Sequence, residues 1–260
     1  MPDERFEADY FHGRALPGNT TPGNYLDYER SRFASTVRSL AESSIRLCHP
    51  LRALDLGCAK GFLVEALVDR GVDACGTDRS SFALSQARPD IAPRLARIDA
   101  SHEPQPHPDR HFDLIFALGV LDYVARLDFV LAEIERVAAP GAWLIVHTSR
   151  DRSDEPETRR ALPNTTTRAR WIERFRAHGF GVDQAVSHRI WTSVHDATLA
   201  ALHDQDPRAE LGLLHARGGP PGRWLARSLY RARAGIDTKL VLRQAGAPDS
   251  TGDRRAAPSP

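Results

Sequence analysis

The chain has 260 residues, 41% of them hydrophobic, and its 35 Lys and Arg against 34 Asp and Glu leave a formal net charge of +1. This length suits one domain with appendages, and the near-zero charge gives no electrostatic reason to expect nucleic acid or a membrane surface as a partner, so we expect a neutral small molecule. The three cysteines form no C-x-x-C pair, which argues against a disulfide framework. Residues 1–20 are polar, which argues against a secretory signal, and no run of about 18 apolar residues suggests a membrane span. We therefore expect the protein in the cytoplasm.

The first 48 residues combine an aromatic, glycine-rich stretch with a helical pattern. Residues 31–48 have the spacing of an amphipathic helix. Before them, four aromatic residues stand among glycines: Tyr10, Phe11, Tyr25 and Tyr28. These rings either form a lid over a ligand site or pack the first helix onto the rest of the domain.

From residue 51 onward, strand patterns alternate with helix patterns. The run LRALDL at 51–56 is typical of a buried strand, and apolar residues then recur at helical spacing from Gly61. The further predicted strands are 72–78, 94–100, 112–118 and 142–148, and the predicted helices are 79–87 and the apolar stripe from Leu127 to Val137, with a proline-rich loop at 101–110 and a turn at Pro140-Gly141. Five such strands with intervening helices predict a parallel sheet that is covered on both faces.

The rest of the chain is less regular. We expect a polar connection at 149–167, a helix around Trp171 to Phe175, a strand at 182–190, a helical insertion at 191–235 and a last strand at 238–244. The tail from 245 is rich in Pro, Ser, Gly and charge, which predicts disorder. The expected division is therefore an N-terminal lid and helix (1–48), a ligand-binding core (49–190), a substrate cap (191–235), a last core strand (236–244) and a tail (245–260).

The turn after the first predicted strand is the strongest functional signal. In open α/β sheets, ligands bind beyond the carboxyl ends of the strands, and Gly57 and Gly61 let the backbone approach a ligand there. A dinucleotide fingerprint would need glycine where Ala59 and Phe62 stand, so a pyrophosphate is disfavoured. A carboxylate at Asp55 instead suits a ligand that carries an ammonium group, such as S-adenosylmethionine, whereas the carboxylate at Asp78 would suit the ribose of either ligand.

Six segments in this order carry a family resemblance: DLGCAKG, GTD, RIDA, FDLIFALGVLDYV, LAEIERVAAPGAWLIV and RWIERFRAHGF. Together, over about residues 51–185, they resemble the class I S-adenosylmethionine-dependent methyltransferases. The resemblance implies a doubly wound, Rossmann-like α/β sheet of seven strands, mostly parallel, with the last strand antiparallel. It also implies a cofactor that lies across the carboxyl ends of the first four strands.

The resemblance assigns the cofactor site residue by residue. The expected cofactor-binding residues are Asp55, Gly57, Cys58, Ala59, Gly61 and Phe62 in the first turn, Asp78 and Arg79 at the ribose, Asp99 and Ala100 at the adenine, Leu118 and Gly119 after the fourth strand, and Tyr25 from the N-terminal segment. The family often has glycine at the place of Ala59. Asp78 could instead cap the following helix, and Asp99 could simply open a polar loop. Cys58 and Cys75 are expected to be small packed residues.

The predicted reaction is methyl transfer from S-adenosylmethionine to a small-molecule acceptor, a natural-product or sugar-type hydroxyl or amine, with S-adenosylhomocysteine as the product. The candidate catalytic residues are His147 and His12 as bases, with Asp122 and Tyr123 after the fourth strand. Three further histidines flank the proline loop without carboxylate or thiol partners at metal-site spacing, so no metal is expected. Two alternatives stay open: an S-adenosylmethionine-binding protein that does not methylate, and a nicotinamide-dependent oxidoreductase. Monomer and homodimer are both compatible with the sequence.

Overall fold

The computed structural model describes residues 6–11, 30–148, 163–164, 166–205 and 238–245. The helices are α1 (Ala8–Phe11), α2 (Arg30–Cys48), α3 (Phe62–Val68), α4 (Ser81–Ser85), α5 (Leu127–Val137), α6 (Arg168–Ala177) and α7 (Gln184–Gln205). The strands are β1 (Arg52–Leu56), β2 (Asp73–Asp78), β3 (Leu95–Arg97), β4 (Phe112–Leu118), β5 (Ala138–Thr148), β6 (Phe180–Val182) and β7 (Thr238–Gln244). Several predicted positions lie outside the described residues: His12, Tyr25, Tyr28, most of the 149–167 connection, most of the 191–235 insertion and the tail.

The strands form one seven-stranded sheet in the order β3-β2-β1-β4-β5-β7-β6. Strands β1 to β5 are parallel, and β7 runs antiparallel to both β5 and β6. The order reverses between β1 and β4, which are hydrogen-bonded neighbours. A doubly wound sheet has its ligand crevice at such a reversal. The predicted fold class is therefore confirmed, including the antiparallel last strand.

Alternating side chains along the central strands supply both faces of the sheet with core residues. In β4, Leu114 and Phe116 pack on the side of α2, α3 and α7, whereas Ile115 and Ala117 pack on the side of α5 and α6. Strands buried on both faces are expected to be apolar at nearly every position, as β4 is. The two helical layers thus hold the sheet rigid, and the carboxyl ends of β1, β2 and β4 are fixed relative to one another.

The strand predicted at 182–190 is wrong, because most of it belongs to helix α7. Strand β6 ends at Val182, and Asp183 then begins the helix by accepting a hydrogen bond from the Val186 N–H at 2.8 Å. Buried Ser187, Ile190 and Val194 follow at helical spacing. The described start of the 191–235 segment therefore continues a helix that packs on the core.

The turn predicted at Pro140-Gly141 is also different in the structure. Strand β5 begins directly at Ala138, and its pairing with β4 shifts register between Phe112 and Leu114. Gly141 has a φ of 77°, which accommodates the irregularity within the strand. Within the described part of the chain, no helix is both long enough and apolar enough to cross a membrane.

Candidate functional site

A cavity opens at the carboxyl ends of β1, β2, β3 and β4. Its lining comprises Phe6, Tyr10, Phe11, Leu56, Gly57, Ala59, Thr77, Asp78, Arg79, Ile98, Asp99, Ala100, Ser101, Leu118, Gly119, Val120, Tyr123 and Val124. Nine of these residues were singled out from the sequence as site residues: Gly57, Ala59, Asp78, Arg79, Asp99, Ala100, Leu118, Gly119 and Tyr123. They come from the ends of four strands, so the parallel sheet brings together positions that are far apart in the chain.

The turn between β1 and α3 forms the floor of the cavity and depends on glycine. Gly57 has a φ of 79°, and a Cβ there would lie 2.8 Å from the Cβ of Val120. The Gly57 and Cys58 N–H groups both donate to the Thr77 carbonyl, at 2.7 and 3.1 Å, which ties the turn to the end of β2. Gly61 begins α3 with a φ of 74°. No larger residue would fit at Gly57 without moving the wall of the cavity.

Ala59 adopts a backbone conformation that is unusual for a residue with a Cβ. Its φ is 49°, in the left-handed region, which costs about 1–2 kcal/mol for a non-glycine residue. Its N–H donates to Oδ2 of Asp78 at 2.8 Å. This hydrogen bond joins the turn after β1 to the acidic residue at the end of β2.

Two carboxyl groups, the buried Asp55 and the half-buried Asp78, lie close together at this turn. Burial, reinforced by repulsion from Asp78, raises the pKa of Asp55 to about 7. Burial also raises the pKa of Asp78, although hydrogen bonds from the Ser80 and Ala59 N–H groups oppose that rise. A site with two neighbouring carboxyl groups, one of them buried, favours a ligand with a positive charge or with several hydroxyl donors.

Asp78 does not cap the following helix. The N-cap of α4 is Ser80, whose Oγ accepts a hydrogen bond from the Ala83 N–H at 3.0 Å. Asp78 lies at the cavity instead, with Oδ1 accepting from the Ser80 N–H and Oδ2 from the Ala59 N–H, each at 2.8 Å. These bonds fix the orientation of the carboxylate, and each oxygen retains a further lone pair for a ligand.

The β3 side of the cavity is closed by an ion pair. A guanidinium nitrogen of Arg79 lies 3.4 Å from Oδ2 of Asp99. Asp99 also accepts from the Ser101 N–H at 3.1 Å, and His102 Nδ1 lies 3.1 Å from its Oδ2. The pair joins the residue after β2 to the loop after β3, so it spans the edge of the cavity between two strand ends.

The N-terminal segment lies against the same cavity. Phe6, Tyr10 and Phe11 line it and pack in one cluster with Ala59, Phe82 and Ala83. The guanidinium of Arg79 stands 5.0 Å from the centre of the Phe6 ring, and Tyr123 meets the same ring edge-on at 5.4 Å. The described aromatics therefore lie at the cavity, and a lid over it stays a prediction.

Glu7 anchors this segment to α4. Its carboxylate accepts hydrogen bonds from the Phe82 N–H at 2.8 Å and the Ser81 N–H at 3.1 Å, and its Oε2 lies 3.3 Å from Ser80 Oγ. A negative charge is favourable beside the unpaired N–H groups that begin a helix. The anchor keeps Phe6 and Tyr10 at the cavity.

Among the candidate bases, His147 lies beyond the cavity lining. It sits at the end of β5, half-buried, with its ring 6.3 Å from that of Trp191, and its carbonyl accepts a hydrogen bond from the Gly119 N–H at 2.7 Å. Asp122 is fully buried behind the wall, whereas the adjacent Tyr123 lines the cavity. The structure thus brings Tyr123 to the site and leaves His147 next to it.

The remaining predicted residues of the first turn support the cavity from behind. Asp55, Cys58 and Phe62 are buried, at 5%, 3% and 7% exposure. Cys58 packs against Gly76, where a Cβ would come within 2.6 Å of the Cys58 Cβ. Burial raises the pKa of the Cys58 thiol well above its usual value, so this side chain is a neutral packed residue.

Sequence reasoning missed part of the lining. The missed residues are Phe6, Leu56, Thr77, Ile98, Ser101, Val120 and Val124. Most of them follow a strand end by a few residues or precede a predicted site residue. Because ligands bind beyond the carboxyl ends of the strands, including every residue of the loop after each strand would have found them. Phe6 had no such signal, because its place depends on Glu7.

The comparison with protein families agrees with this geometry. Residues 54–146 match the family described as "Methyltransferase domain". The matched stretch runs from within β1 to within β5 and includes all of the cavity lining except the N-terminal segment. Residues 54–146 are therefore similar to methyltransferase domains, in agreement with the family that the sequence segments resemble.

Curated relatives match this chain over limited stretches. A "Ubiquinone biosynthesis O-methyltransferase" of Sinorhizobium medicae is 31% identical over 101 residues, which cover 38% of this chain and 41% of the relative. A "Trans-aconitate 2-methyltransferase" of Methylobacterium nodulans is 35% identical over 140 residues, 52% of this chain and 51% of the relative. The chain thus spans about half the length of these relatives or less.

Solved structures share the fold of this chain. A [4+2]-cyclase has a TM-score of 0.51 at 22% identity, covering 88% of this chain and 84% of its own. A protein from Galdieria sulphuraria, assigned to the sarcosine dimethylglycine methyltransferases, has a TM-score of 0.52 at 15% identity, covering 79% and 83%. At these identities the likeness concerns the fold alone.

Proposed function

We propose that the chain binds S-adenosylmethionine in the cavity and catalyses transfer of its methyl group to a hydroxyl or amine of a small molecule, with S-adenosylhomocysteine leaving as the product. One observation carries the proposal: Gly57, Asp78, Asp99 and Gly119, from the ends of four strands, line a single cavity. These are the positions that the family resemblance assigns to the cofactor.

The residues present suit this cofactor. The space next to Val120 is available only because Gly57 has no Cβ. Asp78 offers a fixed carboxylate for the two ribose hydroxyls, and the buried Asp55 lies where a negative charge would attract the ammonium group. Ala59 and the buried Phe62 occupy the places where a dinucleotide site has glycines, which disfavours a nicotinamide cofactor.

When bound, S-adenosylmethionine would supply an electrophilic methyl group. The task of the chain is then to hold the acceptor near attack distance, about 3 Å, and to exclude water. Phe6, Tyr10 and Phe11 lie where they would cover the site, and Tyr123 is available to contact the acceptor. For an oxygen acceptor a general base is also needed, and we assign that role to His147, with His12 as the second candidate.

The names of the relatives favour an oxygen acceptor. One is named as an O-methyltransferase of ubiquinone biosynthesis and another as a trans-aconitate methyltransferase, so both names fit the small-molecule class. On this basis we assign a metabolite-sized acceptor with a hydroxyl as the first choice and an amine as the second. The same fold in a [4+2]-cyclase makes non-methylating use of the cofactor the main alternative, because a fold does not fix a reaction.

Calorimetric titration with S-adenosylmethionine tests the proposal, with Asp78→Ala as the critical variant. Losing the ribose contacts should weaken binding by about 1.5–3 kcal/mol, which is roughly 10- to 100-fold. Asp73→Ala is the matched control, since Asp73 lies at the other end of β2 in an exposed ion pair with Arg94. Unchanged affinity in Asp78→Ala would refute the cofactor site, and tighter binding of NAD than of S-adenosylmethionine would refute the cofactor itself.

Turnover is tested separately. The purified protein is incubated with S-adenosylmethionine and a panel of small hydroxylated and aminated metabolites, and S-adenosylhomocysteine is measured. Acceptor-dependent formation of S-adenosylhomocysteine supports methyl transfer. Tight cofactor binding with conversion of a metabolite but no S-adenosylhomocysteine would favour the non-methylating alternative.

A further inference from the structure

The wall of the cavity after β4 is held by a residue that does not line the cavity. The side-chain nitrogen of Asn164 donates to the Leu121 carbonyl at 2.9 Å and to the Val124 carbonyl at 2.6 Å. Its backbone N–H lies 3.4 Å from the Asp122 carbonyl. Asn164 thus donates hydrogen bonds to the backbone carbonyls of three residues that lie about 40 positions earlier in the chain.

The chemistry of Asn suits this position. An amide nitrogen has two N–H groups, and both partners of the side chain are carbonyl oxygens, which accept only. Backbone carbonyls away from water need a donor, and leaving one without a partner costs more than the bond itself contributes. Asp would place an acceptor opposite two acceptors, so the pattern selects Asn over its closest isostere.

The same segment is fixed from its other side. Ser101 Oγ accepts a hydrogen bond from the Ala125 N–H at 3.0 Å, and the Ser101 N–H donates to Asp99 at 3.1 Å. At its beginning, the Gly119 N–H donates to the His147 carbonyl at 2.7 Å. The segment 119–125 is therefore tied to β5, to the loop after β3 and to Asn164.

This segment shapes the site directly. Gly119, Val120, Tyr123 and Val124 line the cavity, and Leu121 is fully buried beneath them. Val120 is also the side chain that faces Gly57 across the cavity floor. A shift of the carbonyls at 121 and 124 would move Tyr123 and Val120 together.

We propose that Asn164 is a positioning residue, which sets segment 119–125 as the wall of the cofactor and acceptor site. The claim about affinity rests on the proposed function, whereas the claim about local order does not. The side chain of Asn164 does not line the cavity and does not contact a residue that is proposed to take part in the reaction. It acts through the backbone of segment 119–125.

The test compares Asn164→Ala and Asn164→Asp with wild type and with Ser187→Ala. Ser187 is a matched control, because its buried hydroxyl also makes two bonds to backbone, donating to the Val241 carbonyl at 3.1 Å and accepting from the Val241 N–H at 2.8 Å, on the far side of the sheet. Amide hydrogen exchange is followed at 120–125 and at remote strands, and S-adenosylhomocysteine binding is measured by calorimetry.

Both Asn164 variants should exchange faster at 120–125 and not in β1 or β2, with Asn164→Asp at least as strongly affected as Asn164→Ala. They should bind S-adenosylhomocysteine about tenfold more weakly, the loss expected when roughly two backbone-fixing bonds are removed. Ser187→Ala should lose stability without either effect.

Unchanged exchange at 120–125 in both variants would overturn the proposal, and so would faster exchange with wild-type affinity. If wild type itself does not bind S-adenosylhomocysteine, the proposed function fails, and the exchange measurement still decides whether Asn164 orders the segment. A global rise in exchange in both variants, equal to that of Ser187→Ala, would reduce Asn164 to a general stabilising residue and overturn its role as a positioning residue.

Discussion

Replacing Asp55 with Asn should stabilise the protein at neutral pH and weaken its binding of S-adenosylmethionine. Asp55 is 5% exposed and lies close to a second carboxyl group, that of the half-buried Asp78. Its ionised form is therefore unfavourable in the folded chain and favourable in the unfolded chain, where water surrounds it. Asn has nearly the same shape and no charge, so it removes the ionisation penalty.

The size of the effect follows from the pKa of Asp55, which rises from 3.8 to about 7 on folding. Since the folded pKa lies above the unfolded one, the folded state binds more protons in the window between them, and stability falls as pH rises from about 4 to 7. When Asp55 is fully ionised, above about pH 7, the penalty is about 4 kcal/mol, at roughly 1.36 kcal/mol per pKa unit. Below pH 4 the group is protonated in both states and contributes no penalty.

Urea denaturation of wild type and Asp55→Asn at half-unit steps from pH 4 to pH 8 measures this. The two stabilities should be nearly equal at pH 4 and should diverge as pH rises, with the variant more stable by up to about 4 kcal/mol at pH 8. Asp73→Asn, at the exposed end of β2, controls for the general removal of a carboxylate. Parallel curves for wild type and Asp55→Asn would refute the raised pKa.

Three further variants test the turn, the N-terminal segment and the candidate base. Gly57→Ala should unfold at a clearly lower urea concentration, since left-handed strain of about 1–2 kcal/mol adds to the close contact with Val120. A urea midpoint equal to that of wild type would show that Val120 moves to make room. Glu7→Ala should speed S-adenosylhomocysteine dissociation in stopped flow, whereas the surface variant Glu42→Ala should not, and equal rates would contradict the anchor. His147→Ala should lower turnover of any identified acceptor and spare cofactor affinity; equal loss of both would indicate a structural role.

The fold could be predicted from the sequence because the strands of this sheet are buried on both faces. Nearly continuous apolar runs such as 112–118, in which only Asp113 is polar, are followed by helical spacing and specify strand and helix with little ambiguity. The cofactor side of the site was predictable for a related reason, since Gly57, Asp78, Asp99 and Gly119 all stand at or just beyond a strand end. The order of the strands then brings them together without any further local signal.

The errors came where two local patterns compete. Residues 182–190 contain the β-branched Val182, Val186 and Ile190, a residue type that is enriched in strands. Asp183, however, is an N-cap, and Ser187, Ile190 and Val194 share one helical face. The buried Ser187 masked the helical period, because a polar residue occupies a core position there. Its hydroxyl is satisfied by the backbone of β7, a contact between residues 54 positions apart that no local pattern reveals.

The turn after β1 combines two features that reduce the stability of the folded chain. Ala59 has a left-handed φ of 49°, and the buried Asp55 carboxyl lies close to a second carboxyl group, that of Asp78. A turn selected for stability alone would have relaxed the φ of Ala59 and replaced one acid with a neutral residue. Strain and buried charge persist together where a ligand compensates for them, so binding of a cationic nucleoside should stabilise this turn more than any other part of the sheet.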